Sequence, residues 1–219
     1  MSNLVGHDIE QNLQQGLTAL GQDLPSASVD KLLQFIALLA KWNKTYNLTA
    51  VREPSQMVPL HLLDSLVMRP FLQGDAVLDV GTGPGLPGIP LAIICPDVHF
   101  TLLDSNSKKT RFITQAVLEL GIKNVTVVQS RAEAFQPIGQ YSSIITRAFA
   151  SIPDMLVMIK HLCSNTTRVI AMKGQYPQEE LTAWPEGFVC DGVETIQVPG
   201  LDAQRHVVLI HRDMPENTI

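Results

Sequence analysis

A glycine-rich loop at residues 79–88 is the feature of the sequence most clearly suited to chemistry. Behind an aspartate, glycine recurs at every second position, as Asp79, Gly81, Gly83 and Gly85. Glycines let a backbone turn tightly or approach a ligand closely, and the N-terminus of a following helix offers unpaired N–H groups. The dinucleotide fingerprint needs Gly-x-Gly-x-x-Gly, but counted from Gly81 its third glycine position holds Leu86. The spacing therefore predicts a cofactor seat and favours S-adenosylmethionine over a nicotinamide dinucleotide.

A second acid, Asp104, ends the β-prone run at residues 99–104. At the carboxyl end of a parallel strand, a carboxylate can accept hydrogen bonds from both hydroxyls of a ribose. An acid there suits the adenosine of either cofactor class, whereas a phosphate-binding P-loop is excluded because no Gly-Lys-Ser/Thr follows. Ordinary turn chemistry is the alternative, but loop, strand and acid agree on a nucleotide-like cofactor.

The end of the fourth predicted strand carries Arg147 and Phe149, at the position that faces the substrate in such an architecture. A base-amino methylase would place Asn/Asp-Pro-Pro-aromatic there to hold an exocyclic amine, and its absence argues against adenine N6 chemistry. A cation and an aromatic ring instead suit charge-assisted contacts and stacking on a base. The alternatives are that Arg147 forms a structural ion pair and that Phe149 belongs to the core.

Basic residues stand at other predicted strand ends too. They are Arg131 after the third strand, Lys173 after the fifth and Arg205 before the last. Strand ends converge in a parallel sheet, so these residues and Arg147 are candidates for positioning a substrate, although each alone could be a solvated surface charge. Because the net charge is −5, a nucleic-acid partner would need such a local patch. Three further cations are interpreted as a solvated helix face: Lys108, Lys109 and Arg111.

Metal and nucleophilic chemistry find little support. The six histidines form no His-x-x-x-His pair, and the three cysteines lie far apart. Cys95, Cys163 and Cys190 are therefore expected to be reduced, packed thiols in a protein that binds no metal. The longest apolar stretch, residues 35–40, is much shorter than the roughly 20 residues of a membrane span, and no signal peptide is recognisable. A cytoplasmic protein with no membrane partner is expected.

Short β-prone runs alternate with helical spacing from about residue 74 onward. The runs are residues 76–80, 99–104, 125–128, 143–146 and 168–172. Such alternation predicts an α/β fold whose parallel sheet has helices on both faces. Two longer β-like stretches, residues 187–198 and 205–211, follow a predicted helix at residues 178–184. They suit an antiparallel hairpin at the C-terminal end of a mostly parallel sheet.

The first 73 residues predict helices. A short helix is expected before residue 25, and Ser28 is expected to cap a second one whose two apolar stripes indicate that it is sandwiched. Residues 56–71 again have helical periodicity, with His61, Asp64 and Ser65 on one face. That polar stripe could line the pocket or face solvent. The expected organisation is a helical extension, 1–73, packed on a core domain, 74–219, in one compact monomer.

Taken together, these motifs resemble the ribosomal RNA small-subunit methyltransferase G family, also called glucose-inhibited division protein B. The resemblance covers about residues 40–212 in order, and residues 81–88 and 147–150 are specific to it far beyond a generic methylase loop. The other matching motifs are Asn47-Leu-Thr, His61-Leu-Leu-Asp64-Ser65, Leu103-Asp-Ser105, Gln129-Ser-Arg131, Lys173-Gly174 and Arg205-His206.

The resemblance implies a class I, Rossmann-like methyltransferase that moves a methyl group from S-adenosylmethionine to N7 of one guanine in 16S rRNA. The guanine lies near the decoding region of the 30S subunit, the by-product is S-adenosylhomocysteine, and loss of the methyl group is associated in the family with low-level streptomycin resistance. The cofactor contacts carried over are Gly81, Leu86, Ala132, Glu133 and Arg147, and Asp104 joins them from the ribose argument. Guanine N7 loses no proton on methylation, so no residue is expected to act as a general base.

Three other functions remain open on the sequence alone. A nicotinamide oxidoreductase is disfavoured by the glycine offset and by the lack of Tyr-x-x-x-Lys after the fourth strand. A non-catalytic ribosome-assembly factor that senses S-adenosylmethionine would not need the intact substrate mouth. A small-molecule methyltransferase would not need convergent basic residues, which suit a polyanion.

Overall fold

A computed structural model describes residues 6–147, 149–182 and 184–213 of the 219-residue chain. Ala148, which belongs to the predicted substrate motif, lies outside the described residues. So do residues 1–5 of the predicted helical extension and residues 214–219 of the predicted core domain. No described helix is long and apolar enough to cross a membrane.

The described residues form a seven-stranded sheet in the order β3-β2-β1-β4-β5-β7-β6. The strands are β1 Ala76–Val80, β2 His99–Asp104, β3 Val125–Gln129, β4 Ser143–Arg147, β5 Arg168–Lys173, β6 Phe188–Ile196 and β7 Arg205–Arg212. Strands β1 to β5 are parallel, whereas β7 runs antiparallel to β5 and pairs with β6. The predicted α/β class, with its mostly parallel sheet and C-terminal hairpin, is confirmed.

Helices cover both faces of the sheet, and the described α-helices precede or connect the parallel strands. They are α1 His7–Ala19, α2 Ser26–Tyr46, α3 Pro54–Met57, α4 Asp64–Leu66, α5 Gly88–Ile94, α6 Ser107–Glu119 and α7 Ile152–Ile159. Alternate residues of β1 point to opposite faces, so Val77 joins the apolar cluster under α2, α5 and α6, while Leu78 joins the cluster under α7.

The N-terminal helices share a core with the sheet. The second helix, α2, is apolar on two sides and packs against α5 and α6, with the ring of Phe35 centred 6.1 Å from that of Phe112. One apolar cluster runs without a break from α1 through α2 to the sheet. The boundary expected between residues 73 and 74 therefore stays a prediction, because no gap in the core marks it.

Three predicted helix boundaries were wrong. The helix expected to be capped by Ser28 begins three residues earlier, with Pro25 as its N-cap, and Ser28 lies inside its first turn. Where a helix was expected at residues 178–184, the described residues form only a 3₁₀ turn, Glu180–Thr182. The third, the helix expected at residues 56–71, begins at Pro54 and is interrupted.

That interruption is a π-helical turn, Val58–Leu63, between α3 and α4. A π turn inserts an extra residue and changes the face that the following side chains occupy. His61, Asp64 and Ser65 are all buried, so the solvent-facing alternative for this polar stripe was wrong. The π turn instead directs the stripe toward the sheet.

The strand order brings the chemical residues to one edge. The carboxyl ends of β1 to β5 lie there, and so does the start of β7, because β7 runs antiparallel and pairs His206 with Lys173. The order of the parallel strands reverses between β1 and β4. Open α/β sheets bind ligands at such a switch point.

Candidate cofactor and substrate site

A cavity of about 420 Å³ opens at the carboxyl edge beside the switch point. Its volume falls within the roughly 300–1,000 Å³ that small-molecule sites occupy. The cavity is lined by Val80, Gly81, Leu103, Asp104, Ser105, Lys109, Ser130, Arg131, Ala132, Glu133, Phe149 and Met158. The ends of β1, β2 and β3 supply most of this lining, which makes the cavity the natural place for a nucleotide-like cofactor.

The conformation of the glycine loop is fixed by hydrogen bonds to the end of the neighbouring strand, β2. Gly81 and Gly83 both adopt a positive φ, at 67° and 62°, a conformation that glycine adopts without steric cost. The N–H of Gly83 donates to Oδ2 of Asp104 at 2.9 Å, and the N–H of Gly81 donates to the carbonyl of Leu103 at 2.9 Å. The predicted ribose acid therefore also fixes the loop, and its second oxygen accepts from the N–H of Asn106 at 2.8 Å.

Asp79 lies behind the loop and not in the cavity. It is fully buried, and its Oδ2 accepts from the hydroxyl of Thr82 at 2.6 Å and from the N–H of Gly88 at 2.8 Å. Burial raises the pKa of its carboxyl to about 7. Asp79 was predicted as a cofactor contact, and the structure corrects this: the side chain shapes the loop from inside, so any effect on the cofactor is indirect.

The other predicted cofactor residues divide into two groups. The four that line the cavity are Gly81, Asp104, Ala132 and Glu133. The four that do not are Gly83, Gly85, Leu86 and Arg147. Leu86 is buried in the core, and a Cβ on Gly85 would lie 2.6 Å from Cγ1 of Ile89. Gly85 and Leu86 therefore serve the packing of the loop on α5. This geometry does not support a direct contact between either residue and the cofactor.

Lys109 and Phe149 complete the lining. Lys109 was interpreted as part of a solvated helix face, and this was wrong: α6 starts at the same edge, so its first turn faces the cavity. The position of that turn, directly after Asp104, is the signal that could have found it. The ring of Phe149 lines the cavity and packs against the apolar cluster on the α7 face of the sheet, so its packing on the core is confirmed, while stacking on a base stays a prediction.

A second cluster lies at the ends of β4 and β7. Nη1 of Arg147 is 2.7 Å from Oδ2 of Asp64, and Nε of Arg205 is 2.6 Å from Oδ1 of the same carboxylate. The Asp64 side chain is 4% exposed, against 19% for Arg147 and 16% for Arg205. The structural ion pair considered for Arg147 exists, and its partner comes from the N-terminal helical segment.

Neither of the other two candidate cations binds Asp64, although Lys173 ends β5, the strand between those that carry the two arginines. Nζ of Lys173 is 2.8 Å from Oε2 of Glu180 and donates to the carbonyl of Ala150 at 3.0 Å. Arg131 is exposed and lines the cofactor cavity instead. The expectation of one common basic mouth was therefore only partly met, because the sheet order places β2 and β1 between β3 and β4.

Known proteins match the chain over most of its length. The family model for rRNA small subunit methyltransferase G matches residues 28–208. The ribosomal RNA small subunit methyltransferase G of Pseudomonas syringae pv. syringae (strain B728a) is 48% identical over 97% of this chain and 99% of its own. The protein of that name from Sodalis glossinidius (strain morsitans) is 50% identical over 91% and 98%. The chain belongs to the rRNA small subunit methyltransferase G family.

Membership in this family confirms the resemblance seen in the motifs. Among solved structures, a SAM dependent methyltransferase from Aquifex aeolicus superposes with a TM-score of 0.53 at 20% identity, over 72% of this chain and 93% of that chain. At that identity the likeness concerns the fold alone, and it agrees with the class I methyltransferase architecture.

In this member of the family, three hydrogen-bonded polar residues lie behind the arginine cluster, and two of them, Asn43 and His61, are buried. Nε2 of His61 is 2.9 Å from Oγ1 of Thr49, and the N–H of Thr49 donates to Oδ1 of Asn43 at 2.9 Å. Burial, together with the charge of Arg147, lowers the pKa of His61 to about 4. His61 is therefore a neutral, structural group near pH 7. Its hydrogen bond to Thr49 holds the π-helical turn that precedes Asp64.

Two further expectations concern thiols and metals. Cys163 is buried, and burial raises its pKa to about 12, while Cys95 and Cys190 are half-buried free thiols. Over the three described ranges, no group of three or more His, Cys, Asp and Glu side chains is arranged to hold a metal ion.

Proposed function

We propose that this protein transfers the methyl group of S-adenosylmethionine to N7 of one guanine in 16S rRNA of the small ribosomal subunit. The observation that carries this proposal is the adjacency of the two sites on one sheet edge. A cavity on Gly81 and Asp104 suits an adenosine cofactor, and on the other side of β1 lies the arginine pair on Asp64. Family membership supplies the class of substrate.

The cavity residues fit the cofactor that the family implies. The positive φ of Gly81 brings bare backbone to the cavity wall, Asp104 keeps further lone pairs for ribose hydroxyls, and Phe149 and Met158 offer apolar surface to a flat base. Ala132, Glu133 and Arg131 would border the adenine end. When bound, S-adenosylmethionine supplies an electrophilic methyl group attached to a sulfonium. Once the methyl group has been transferred, the remainder of the cofactor is S-adenosylhomocysteine.

The chemistry of guanine N7 asks for placement and not for proton transfer. N7 carries a free lone pair and bears no hydrogen, so no side chain has to remove a proton. The acids of the substrate side are already engaged, since Asp64 binds two arginines and Glu180 binds Lys173. Orientation alone can lower a barrier by roughly 7–11 kcal/mol in favourable systems. The protein's task is then to hold N7 in line with the methyl group and to exclude water.

Arg147 and Arg205 are assigned to the RNA. Arginine recognises phosphate, and its common contact with guanine uses both O6 and N7. Because N7 must remain free to react, we assign these residues to phosphate or O6. Lys173 stabilises the loop at Ala150 next to them, and Arg131 would act from the cofactor side. Selection of one nucleotide would come from RNA shape and an unstacked base.

The test is transfer of labelled methyl from S-adenosylmethionine to 30S subunits and to stripped 16S rRNA, both from cells that lack the endogenous activity. We expect label at a single guanine, recovered as N7-methylguanine, and the better substrate shows the stage of assembly at which the enzyme acts. If the protein binds S-adenosylmethionine but labels neither substrate, the proposal is wrong and a small-molecule enzyme or an assembly sensor replaces it. The cytoplasmic location and the monomeric state stay predictions.

A further inference from the structure

Asp64 belongs to the N-terminal helical segment, yet each of its oxygens binds an arginine of the sheet. Oδ2 accepts from Nη1 of Arg147, and Oδ1 accepts from Nε of Arg205. Since each oxygen serves a different guanidinium, the carboxylate fixes the two cations relative to each other. Both arginines border the edge at which the substrate would lie, although 83 and 141 residues separate them from Asp64.

Backbone carbonyls complete this arrangement. Nη1 of Arg147 also donates to the carbonyl of Leu60 at 3.0 Å, and Nη1 of Arg205 reaches the carbonyls of Ala203 and Gln204 at 3.4 and 3.3 Å. Nε and Nη2 of Arg147 and Nη2 of Arg205 form no hydrogen bond to any residue that the structure describes. The pair is thus held from one side and keeps donors for a ligand.

The charge of the cluster works against simple affinity. Two arginines alone would present two positive charges to RNA, and the buried carboxylate removes one of them. RNA affinity rises with each uncompensated cation at the interface. Two arginines that served only to attract RNA would therefore bind it more tightly without Asp64. Two arginines that must hold a phosphate in one orientation benefit from a carboxylate that fixes both guanidiniums.

We propose that Asp64 is a positioning residue that sets Arg147 and Arg205 side by side to hold one phosphate of the RNA, giving up affinity for orientation of the target guanine. This inference rests on the proposed function. It makes the N-terminal helical segment part of the substrate site, since the π-helical turn before α4 places Asp64 between the arginines. The effect of Asp64 on transfer passes through the two arginines, since the carboxylate itself does not contact the substrate.

The central test is Asp64→Asn, which keeps the side-chain shape and removes its charge. We expect kcat on 30S subunits to fall at least tenfold, while binding of 16S rRNA becomes tighter at low salt. The slope of log Kd against log salt should steepen by about 0.7, the value for one additional single-strand phosphate contact. Asp191→Asn is the matched control, because Asp191 pairs with His211 near the opposite edge of the sheet. It should change neither kcat nor the salt slope.

A second variant separates positioning from charge and from folding. Arg205→Lys keeps the charge but loses the Nε–H that binds Asp64, so kcat should fall while the salt slope stays at the wild-type value. Arg205→Lys decides the question on its own if Asp64→Asn does not fold, as judged by circular dichroism. Affinity for S-adenosylmethionine should stay unchanged in both variants, because neither residue lines the cofactor cavity.

The outcomes are distinct. If Asp64→Asn lowers RNA affinity together with kcat, or if either variant turns over at the wild-type rate, the positioning role is wrong. A wild-type protein that binds RNA but methylates no 30S subunit overturns the proposed function instead, and the salt slopes still report whether Asp64 offsets the arginines.

Discussion

Two buried aspartates organise the two halves of the carboxyl edge in opposite ways. On the cofactor side, Asp79 accepts hydrogen bonds only from a hydroxyl and a backbone N–H, and burial raises its pKa. On the substrate side, Asp64 binds two guanidiniums. A buried charge needs compensation, so Asp64 can organise cations, whereas Asp79 is restricted to shaping a loop.

The two halves also differ in how the chain builds them. The cofactor half uses consecutive strand and helix units, from β1 through α6 to β3, and its loop contacts are local. The substrate half draws Asp64, Arg147 and Arg205 from three distant segments. Damage to the cofactor half should therefore act on cofactor binding, and damage to the substrate half on turnover. Three substitutions test this contrast.

The largest effect is expected from Gly81→Asp, which should weaken binding of S-adenosylmethionine at least a hundredfold, as measured by titration calorimetry. The residue has a φ of 67°, and a Cβ there would lie 2.2 Å from Cδ2 of Phe149, so the loop or the Phe149 ring that lines the cavity must move. Gly121→Asp is the control, since its φ of 59° is similar but no atom lies within 4 Å of its Cβ position. It should lose about 1 kcal/mol of stability and retain affinity. Unchanged affinity in Gly81→Asp would disprove the predicted seat.

The contrast also explains how much the sequence could predict. Glycine spacing and the acid at the next strand end identified the cofactor side, because these signals lie within a single βαβ unit. Arg147 and Arg205 were correctly singled out as strand-end cations, but their common partner was not. Asp64 reaches them only because a π turn interrupts a helix that periodicity predicts to be regular. Lys109 was missed because periodicity alone does not show which end of a helix faces a cavity.

The second-largest effect is expected from Arg147→Ala. This variant tests whether Arg147 belongs to the cofactor half or to the substrate half of the carboxyl edge. The family resemblance makes this residue a cofactor contact, whereas the structure places it on Asp64 and outside the cavity lining. We expect kcat on 30S subunits to fall at least tenfold with cofactor affinity within about twofold of wild type, because one of two guanidiniums is lost and the other still compensates Asp64.

Arg168→Ala is the control for Arg147→Ala, since Arg168 starts β5 at the opposite edge and contacts the carbonyl of Phe71. Turnover should be retained there. Wild-type turnover in Arg147→Ala would remove the residue from the site, and a loss of cofactor affinity without a loss of kcat would return it to the cofactor half.

The smallest effect on cofactor binding and turnover is expected from Asp79→Asn, whose main consequence is a change in the pH dependence of stability. With a pKa of about 7 in the folded protein and a lower pKa when unfolded, wild-type Asp79 is protonated more strongly in the folded state between these values. The contribution of Asp79 to stability therefore falls as the pH rises toward 7 and is constant above it. An uncharged Asn has no such dependence and can accept from both Thr82 and Gly88 through its oxygen.

Chemical unfolding at pH 5 and at pH 8 measures this difference. Relative to wild type, the free energy of unfolding of Asp79→Asn should be higher at pH 8 than at pH 5 by about 3 kcal/mol, since about two pH units separate pH 5 from the folded pKa and each corresponds to about 1.4 kcal/mol. His61 titrates in the same way in both proteins and cancels from the comparison. An identical pH dependence in the two proteins would mean that Asp79 is ionised in the folded state, and the two buried aspartates would then differ in their partners but not in their charge.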